Sequence, residues 1–127
     1  MLPKVHRQRY QELKQALEQM QQTAAGAQVD APGLQLSLLG LRQSILTTQQ
    51  FFQQQVVSLD AGDLEPADEP RVRSYQTEMS KQLRLLAMDV MLCLAARQPE
   101  TAIGRQLQLR DRIQTLISYC DAILQLN

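Results

Sequence analysis

Residues 70–97 read PRVRSYQTEMSKQLRLLAMDVMLCLAAR, and this stretch decides the fold class. Its apolar side chains recur every three or four residues, which places them on one face of an α-helix. The predicted core line is Val72, Tyr75, Met79, Leu86, Val90 and Cys93, widened by Leu83, Leu85, Leu92 and Leu94. Pro70 suits the first turn of a helix. The residue before a proline disfavours helical geometry, so Gln98 before Pro99 ends this helix.

Three further segments show the same periodicity, which predicts helices over about residues 3–25, 34–58 and 99–125. The first stripe is Tyr10, Leu13, Leu17, Met20 and Ala24. The second is Leu34, Leu38, Leu41, Ile45, Phe52, Val56 and Leu59. The fourth is Ile103, Leu107, Leu109, Ile113, Leu116, Ile117, Cys120, Ile123 and Leu124. The residues Asp30-Ala31-Pro32-Gly33 predict a turn, and the acidic stretch 60–69 predicts the longest loop.

The connections between these segments are short compared with the helices. Helices that follow each other along the chain should therefore lie antiparallel. The sequence predicts an all-α, antiparallel up-down-up-down four-helix bundle that forms one domain over residues 1–127. A second arrangement stays open, in which two long helical hairpins complete a core only by dimerising, so a homodimer is possible.

Charge and hydropathy exclude several partner classes. The chain has 13 basic and 13 acidic residues, and this balance argues against a nucleic-acid-binding protein. The longest apolar run, residues 83–96, contains Arg84 and Asp89 and is shorter than the roughly 20 residues of a membrane span. No apolar stretch follows the first charged residues, unlike in a secretory signal. We expect a soluble, cytoplasmic protein with no membrane partner.

The cysteines and the histidine give no metal or cofactor site. In an antiparallel hairpin Cys93 and Cys120 lie roughly 25 Å apart along the bundle, too far for a disulfide. Both fall on apolar stripes, which predicts buried reduced thiols. One histidine and two separated cysteines do not form the clustered ligand set of a zinc site.

His6 and Asp89 are the two residues whose chemistry needs an explanation. A phosphoryl-accepting histidine of a helical bundle lies exposed in mid-helix, whereas His6 belongs to a first turn, so we expect a first-turn residue near Tyr10. Asp89 has almost wholly apolar helical neighbours, and a carboxylate there must be paired, hydrogen-bonded or protonated. The favoured interpretation is an ion pair with an arginine of another helix. Exposure at a helix edge and a functional acid are the alternatives.

Nothing in the sequence forms a catalytic set. Asp89 has no second carboxylate or nucleophile at short spacing, so we expect a non-enzymatic protein. A helical-bundle enzyme that uses Asp89 with cross-helix arginines is the alternative. The acids of the loop lack the alternate-residue spacing of a calcium loop, which predicts a solvated linker.

Two features indicate a surface that binds another protein. Phe51 has polar helical neighbours, so it either contacts the long loop or anchors a partner. One face of the third helix carries Arg73, Ser74, Thr77, Ser80, Lys81 and Arg84, and continues into Met88, Met91 and Ala95. Methionines make adaptable contact surfaces. Either a neighbouring helix or a dimer mate covers this face, or it binds an acidic, apolar partner.

Several blocks of the sequence resemble the PatD family of cyanobacterial heterocyst-frequency control proteins. These blocks are HRQRYQE at 6–12, VSLD at 57–60, SYQTE at 74–78, KQLRLLAMDVM at 81–91, AARQP at 95–99 and YCDAIL at 119–124. The resemblance spans nearly the whole chain and consists of generic helical residues.

This resemblance implies a small cytoplasmic regulator of cell division and heterocyst frequency. The implied partner is the tubulin-like division protein FtsZ. The family offers no motif of settled chemical role to transfer, so the predicted protein-binding residues are Phe51, Arg73, Lys81, Arg84, Met88 and Met91. A transcription-linked adaptor with a different protein partner is the alternative within the same class.

Overall fold

The computed structural model describes residues 2–27 and 32–126, and over these residues the chain forms four α-helices. They are α1 (Lys4–Gly26), α2 (Leu34–Phe51), α3 (Glu69–Ala95) and α4 (Pro99–Leu124). A π-helical turn, Phe52–Val56, extends α2, and a 3-10 turn, Ala61–Asp63, lies in the acidic loop. The predicted all-α class is confirmed. In the predicted turn, Gly33 has φ of 84°, a left-handed conformation suited to glycine, while Asp30 and Ala31 lie outside the described residues.

The four helices pack in ring order, with α1 on α2, α2 on α3, α3 on α4 and α4 on α1. Their directions follow from side-chain contacts. Lys14 Nζ lies 2.6 Å from Asp121 Oδ1, and Gln21 Nε2 lies 2.6 Å from Gln114 Oε1. Residue numbers thus rise on α1 as they fall on α4. The antiparallel up-down-up-down bundle is confirmed.

The core consists of the predicted stripes and is closed at one end by residues outside the helices. The largest fully buried side chains are Tyr10, Phe52, Leu13, Leu17, Met20, Leu41, Ile45, Met79, Leu86, Leu109, Ile113 and Leu116. Leu2, Leu64 and Leu126 are also buried, which the periodicity did not predict. Burying one such side chain contributes roughly 1.5–3 kcal/mol relative to exposure.

Tyr10 is the largest of the fully buried side chains and carries a polar hydroxyl group. Its hydroxyl oxygen lies 2.7 Å from Gln76 Nε2 of α3, so the phenol reaches diagonally across the bundle. Burial raises the pKa of Tyr10 to about 12, because the phenolate would lose its hydration. The Gln76 contact lets this polar group lie in the core without an unmet hydrogen bond.

Three positions predicted to lie in the core are exposed instead. Ile103 is 49% exposed, Leu107 is 53% exposed and Leu92 is 37% exposed. The pairing of Gln21 with Gln114 places the end of α1, at Gly26, alongside about residue 109 of α4. Nearly three turns of α4, before about residue 109, therefore extend past α1. Ile103 and Leu107 lie in this part, so α1 does not cover them.

The acidic loop is exposed at most positions, in line with the predicted linker, but two of its residues point inward. Leu64 joins the core and Asp68 is buried at the start of α3. Asp60 Oδ1 accepts a hydrogen bond from the Gly62 backbone N–H at 2.8 Å, which stabilises the turn. The loop therefore packs against the bundle at its middle and its end.

Two isoleucines of α4 offer a matched test of which stripe residues form the core. Ile113→Ala should lower the free energy of unfolding by about 2–5 kcal/mol, because Ile113 is fully buried. Ile103→Ala removes the same atoms from a half-exposed position and should cost less than about 1 kcal/mol. Urea denaturation followed by circular dichroism measures both, and equal losses would contradict the assigned end of the core.

Candidate protein-binding face

One line of side chains on α3 is open to solvent along most of the helix. Its members recur every three or four residues, so they share one face. We call it the α3 strip, and it consists of Arg73, Thr77, Lys81, Arg84, Met88 and Met91. All six are exposed, with Met88 at 59% and Met91 at 47%. The expectation that a neighbouring helix of the same chain covers this face of α3 is therefore wrong.

A second line, on α2, borders the α3 strip. Gln49 Nε2 donates to the Leu83 carbonyl oxygen at 3.2 Å and sets the register between the two helices. Leu39, Arg42, Leu46 and Gln53 lie on the same side of α2 as Gln49, by their spacing of three or four. Antiparallel continuation from Gln49 places Leu46 and Leu39 alongside residues 86–93 of α3. Leu39 is 43% exposed and Leu46 is 46% exposed.

Between these two lines lies a groove, which we call the α2–α3 groove. Two adjoining depressions of about 370 and 250 Å³ form its deeper part. Both are lined by Phe52, Gln53, Ser80 and Arg84. Phe52 is 1% exposed, so the base of the groove is the edge of the core. The walls carry hydroxyl, amide and guanidinium groups.

The helical backbone changes its geometry at this groove. The Val57 backbone N–H donates to the Phe52 carbonyl oxygen at 2.9 Å, an i to i+5 hydrogen bond of a π-helical turn. Such a turn inserts one extra residue and rotates the side chains that follow it. π-helical turns within α-helices occur frequently at functional sites. Here the turn lies where Phe52, Gln53 and Val57 meet α3.

The charges around the α2–α3 groove are nearly all positive. Residues 34–58 contain a single charged side chain, Arg42. Across the groove lie Arg73, Lys81 and Arg84 of the α3 strip, of which Arg73 pairs with Glu69. The two other acids of α3, Glu78 and Asp89, are half-buried and buried respectively. The α2–α3 groove therefore presents Arg73, Lys81 and Arg84 near the π-helical turn. Toward the start of α2 it presents Leu39, Leu46, Met88 and Met91 together with Arg42.

Phe51 lies apart from this groove. It is half-buried and packs against the core, whereas the neighbouring Phe52 lines the groove. The structure thus brings five of the six predicted binding residues onto one face, without Phe51. The sequence missed the α2 side of the site, because a leucine stripe on α2 is also what a core-facing helix shows.

Asp89 forms the cross-helix ion pair that the sequence predicted. Arg112 Nε of α4 donates to Asp89 Oδ2 at 2.5 Å, and Arg112 Nη1 donates to Gln82 Oε1 at 2.8 Å. The Asp89 side chain is only 7% exposed, so exposure at a helix edge is wrong. The guanidinium joins two residues of α3 that lie two turns apart. Arg112 thus links α4 to α3 through two hydrogen bonds.

His6 is buried, at 3% exposed, at the first turn of α1. Its Nε2 lies 4.0 Å from Asp63 Oδ2 of the acidic loop. A phosphoryl-accepting histidine needs solvent access, so this burial disfavours phosphoryl transfer further. The expected proximity to Tyr10 stays a prediction.

Both cysteines are free and buried, as predicted. Burial raises the pKa of the Cys93 thiol to about 11, with the nearby Asp89 carboxylate adding to the shift. Burial also raises the pKa of the Cys120 thiol to about 12. Because the thiolate is the reactive form, both thiols are inert near neutral pH in the folded protein.

Comparison with known proteins finds no matching protein family, no matching curated protein and no matching solved structure. Across residues 2–27 and 32–126, no helix has both the length and the apolar character needed to cross a bilayer.

A double-mutant cycle tests the structural role of the Asp89–Arg112 pair. Asp89→Leu alone should lower the free energy of unfolding by about 3–5 kcal/mol, because it leaves a largely buried guanidinium without its carboxylate. Arg112→Leu alone should cost a similar amount, because it leaves the buried carboxylate unpaired. The double variant Asp89→Leu with Arg112→Leu should recover much of that loss, since neither charge is then buried. Urea denaturation measures both, and additive losses in the double variant would argue against a coupled pair.

Thiol reactivity tests the burial of the two cysteines. At pH 8 an aromatic disulfide reagent should label neither thiol of the folded protein within minutes, because burial holds both in the protonated form. Addition of guanidinium chloride should release two reactive thiols per chain. Rapid labelling without denaturant would contradict the buried assignment.

Proposed function

We propose that this protein is a non-enzymatic regulator that acts by binding another protein through the α3 strip. The observation that supports this most is the exposure of Arg73, Lys81, Arg84, Met88 and Met91 on a single line of one helix. A basic line that continues into flexible apolar side chains suits a partner that is acidic and apolar. The rigid bundle beneath gives the line a fixed shape, which limits the entropy lost on binding.

The proposed partner is FtsZ, the division protein that the PatD resemblance implies. A regulator of this kind would act in the cytoplasm, on cell division and heterocyst frequency in cyanobacteria. The partner's name is supported by the blocks of similar sequence, whereas the place of contact is supported by the α3 strip. The sequence resemblance and the exposed strip are independent observations. The named partner can therefore be wrong while the place of contact is right, and the reverse.

The enzyme alternative receives less support from the described residues. A catalytic Asp89 would need an open cavity in which a substrate reaches its carboxylate. Instead, Arg112 of α4 pairs with this side chain and also donates a hydrogen bond to Gln82. We therefore assign Asp89 to structure and place the function on the protein's surface.

Charge reversal on the α3 strip tests the binding surface. The variant Lys81→Glu with Arg84→Glu should weaken binding to purified FtsZ by about tenfold or more, equal to about 1.4 kcal/mol. Both side chains are exposed, so the variant should keep the wild-type melting temperature to within a few degrees. Biolayer interferometry at two salt concentrations measures the affinity and its electrostatic part.

The matched control is Lys4→Glu with Arg110→Glu. It makes the same change in net charge with two exposed residues on α1 and α4. This control should bind FtsZ as the wild type does. A folded Lys81→Glu, Arg84→Glu variant with undiminished binding would exclude the α3 strip, and a wild type that does not bind FtsZ would exclude the named partner.

A further inference from the structure

The first part of α4 has a helix-packing face against which no helix packs. Further along α4 the same face contacts α1 through Gln114 and Asp121. Leu107 and Glu100 continue this line, because seven residues are about two turns of an α-helix. Since α1 ends at Gly26, alongside about residue 109 of α4, this face lies open to solvent before that point.

Four exposed side chains occupy the open part of this face. We call it the α4 stripe, and it consists of Glu100, Ile103, Leu107 and Arg110, at spacings of three and four. Ile103 is 49% exposed and Leu107 is 53% exposed. Within residues 2–27 and 32–126, neither Glu100 nor Arg110 forms an ion pair or a side-chain hydrogen bond. Arg105 lies about 160° around the helix from both apolar residues, so no charge interrupts them.

The order of residues along the α4 stripe is complementary to itself when reversed. A second copy of α4 that lies antiparallel about a two-fold axis at residue 105 places Glu100 opposite Arg110 of the partner subunit. The same axis places Ile103 opposite Leu107 of the partner subunit, and each contact occurs twice. A two-fold interface requires such self-complementarity. A parallel partner in register would instead place Glu100 opposite Glu100 and Arg110 opposite Arg110.

We infer that two copies of this chain form an antiparallel dimer through the α4 stripe, in which each α4 lies in the space past the end of the other copy's α1. Asp111, which borders the stripe beside Leu107, lies opposite Pro99 of the partner subunit and so meets no like charge. The shared length, residues 100–110, spans about 15 Å. This is short for a protein interface, so the dimer is transient, with a dissociation constant of roughly 10–100 µM.

Sedimentation velocity of the purified full chain, from about 1 to 500 µM, tests the dimer. The sedimentation coefficient should rise from that of a monomer toward that of a dimer across this range. Leu107→Gln should weaken self-association about fivefold or more, because it removes apolar area from the centre of the contact. The matched control is Val5→Gln, which changes a side chain of α1 that is also 53% exposed, and it should stay within about twofold of the wild type.

Charge changes test the antiparallel register. Glu100→Arg and Arg110→Glu should each weaken self-association about fivefold or more, a change of about 1 kcal/mol, because each places like charges opposite each other twice. An equimolar mixture of these two variants should dimerise to within about twofold of the wild type, since every charge then faces its opposite.

The matched controls for the charge changes are Glu18→Arg and Arg71→Glu, which alter exposed residues of α1 and α3 by the same net charge. Each control should dimerise within about twofold of the wild type, alone or mixed. Circular dichroism melts confirm that all the variants fold.

Three outcomes would overturn the inference. They are sedimentation as a monomer over the whole range, a dimer that Leu107→Gln leaves unchanged, and a mixture of Glu100→Arg with Arg110→Glu that associates no better than either variant alone. None of them bears on the proposed function, because the α3 strip lies on another helix. The FtsZ measurement uses chain concentrations below about 1 µM, at which such a dimer is dissociated, so Arg110→Glu stays a valid part of its control. Failure to bind FtsZ likewise leaves the dimer standing.

Discussion

Each of the four helices buries a single apolar stripe, and none can do so without the two helices beside it. The buried side chains meet in a single core to which all four helices contribute. This mutual burial determines the direction and register of the helices, because a helix that slides by one turn moves its stripe away from those of its neighbours. Polar contacts such as Lys14–Asp121 and Gln49–Leu83 then hold that register at the surface of the bundle. Their individual contributions are small beside that of the core.

Two polar groups of the core have partners from another helix. Tyr10 places its hydroxyl beside Gln76, and Asp89 places its carboxylate beside Arg112. A buried ion pair adds little net stability compared with apolar residues of the same size, but it is costly to break. We therefore regard Asp89 and Arg112 as a constraint on how α3 and α4 align. The same constraint places the opposite side of α3, with its arginines and methionines, toward solvent.

The ring order of the helices also explains why the binding face has two sides. Because α2 and α3 are antiparallel neighbours, the basic part of α3 faces the π-helical turn, while Met88 and Met91 lie toward the start of α2. The mixture of basic and apolar side chains along the α2–α3 groove thus follows from the packing of these two helices.

The sequence by itself determined the helical class, the approximate helix ends and most of the core, because a stripe of period 3.6 is encoded locally. It also identified Asp89 as a paired carboxylate, since an acid among leucines has few other stable arrangements. Only the tertiary structure decided where the core ends: α1 stops at Gly26, so Ile103 and Leu107 of the predicted stripe are exposed. The tertiary structure likewise pairs Asp89 with Arg112. It places Phe52, and not Phe51, at the base of the α2–α3 groove, and Leu39 and Leu46 on the α2 side of that groove. These choices depend on the register between helices, which arises from contacts between residues far apart in the chain.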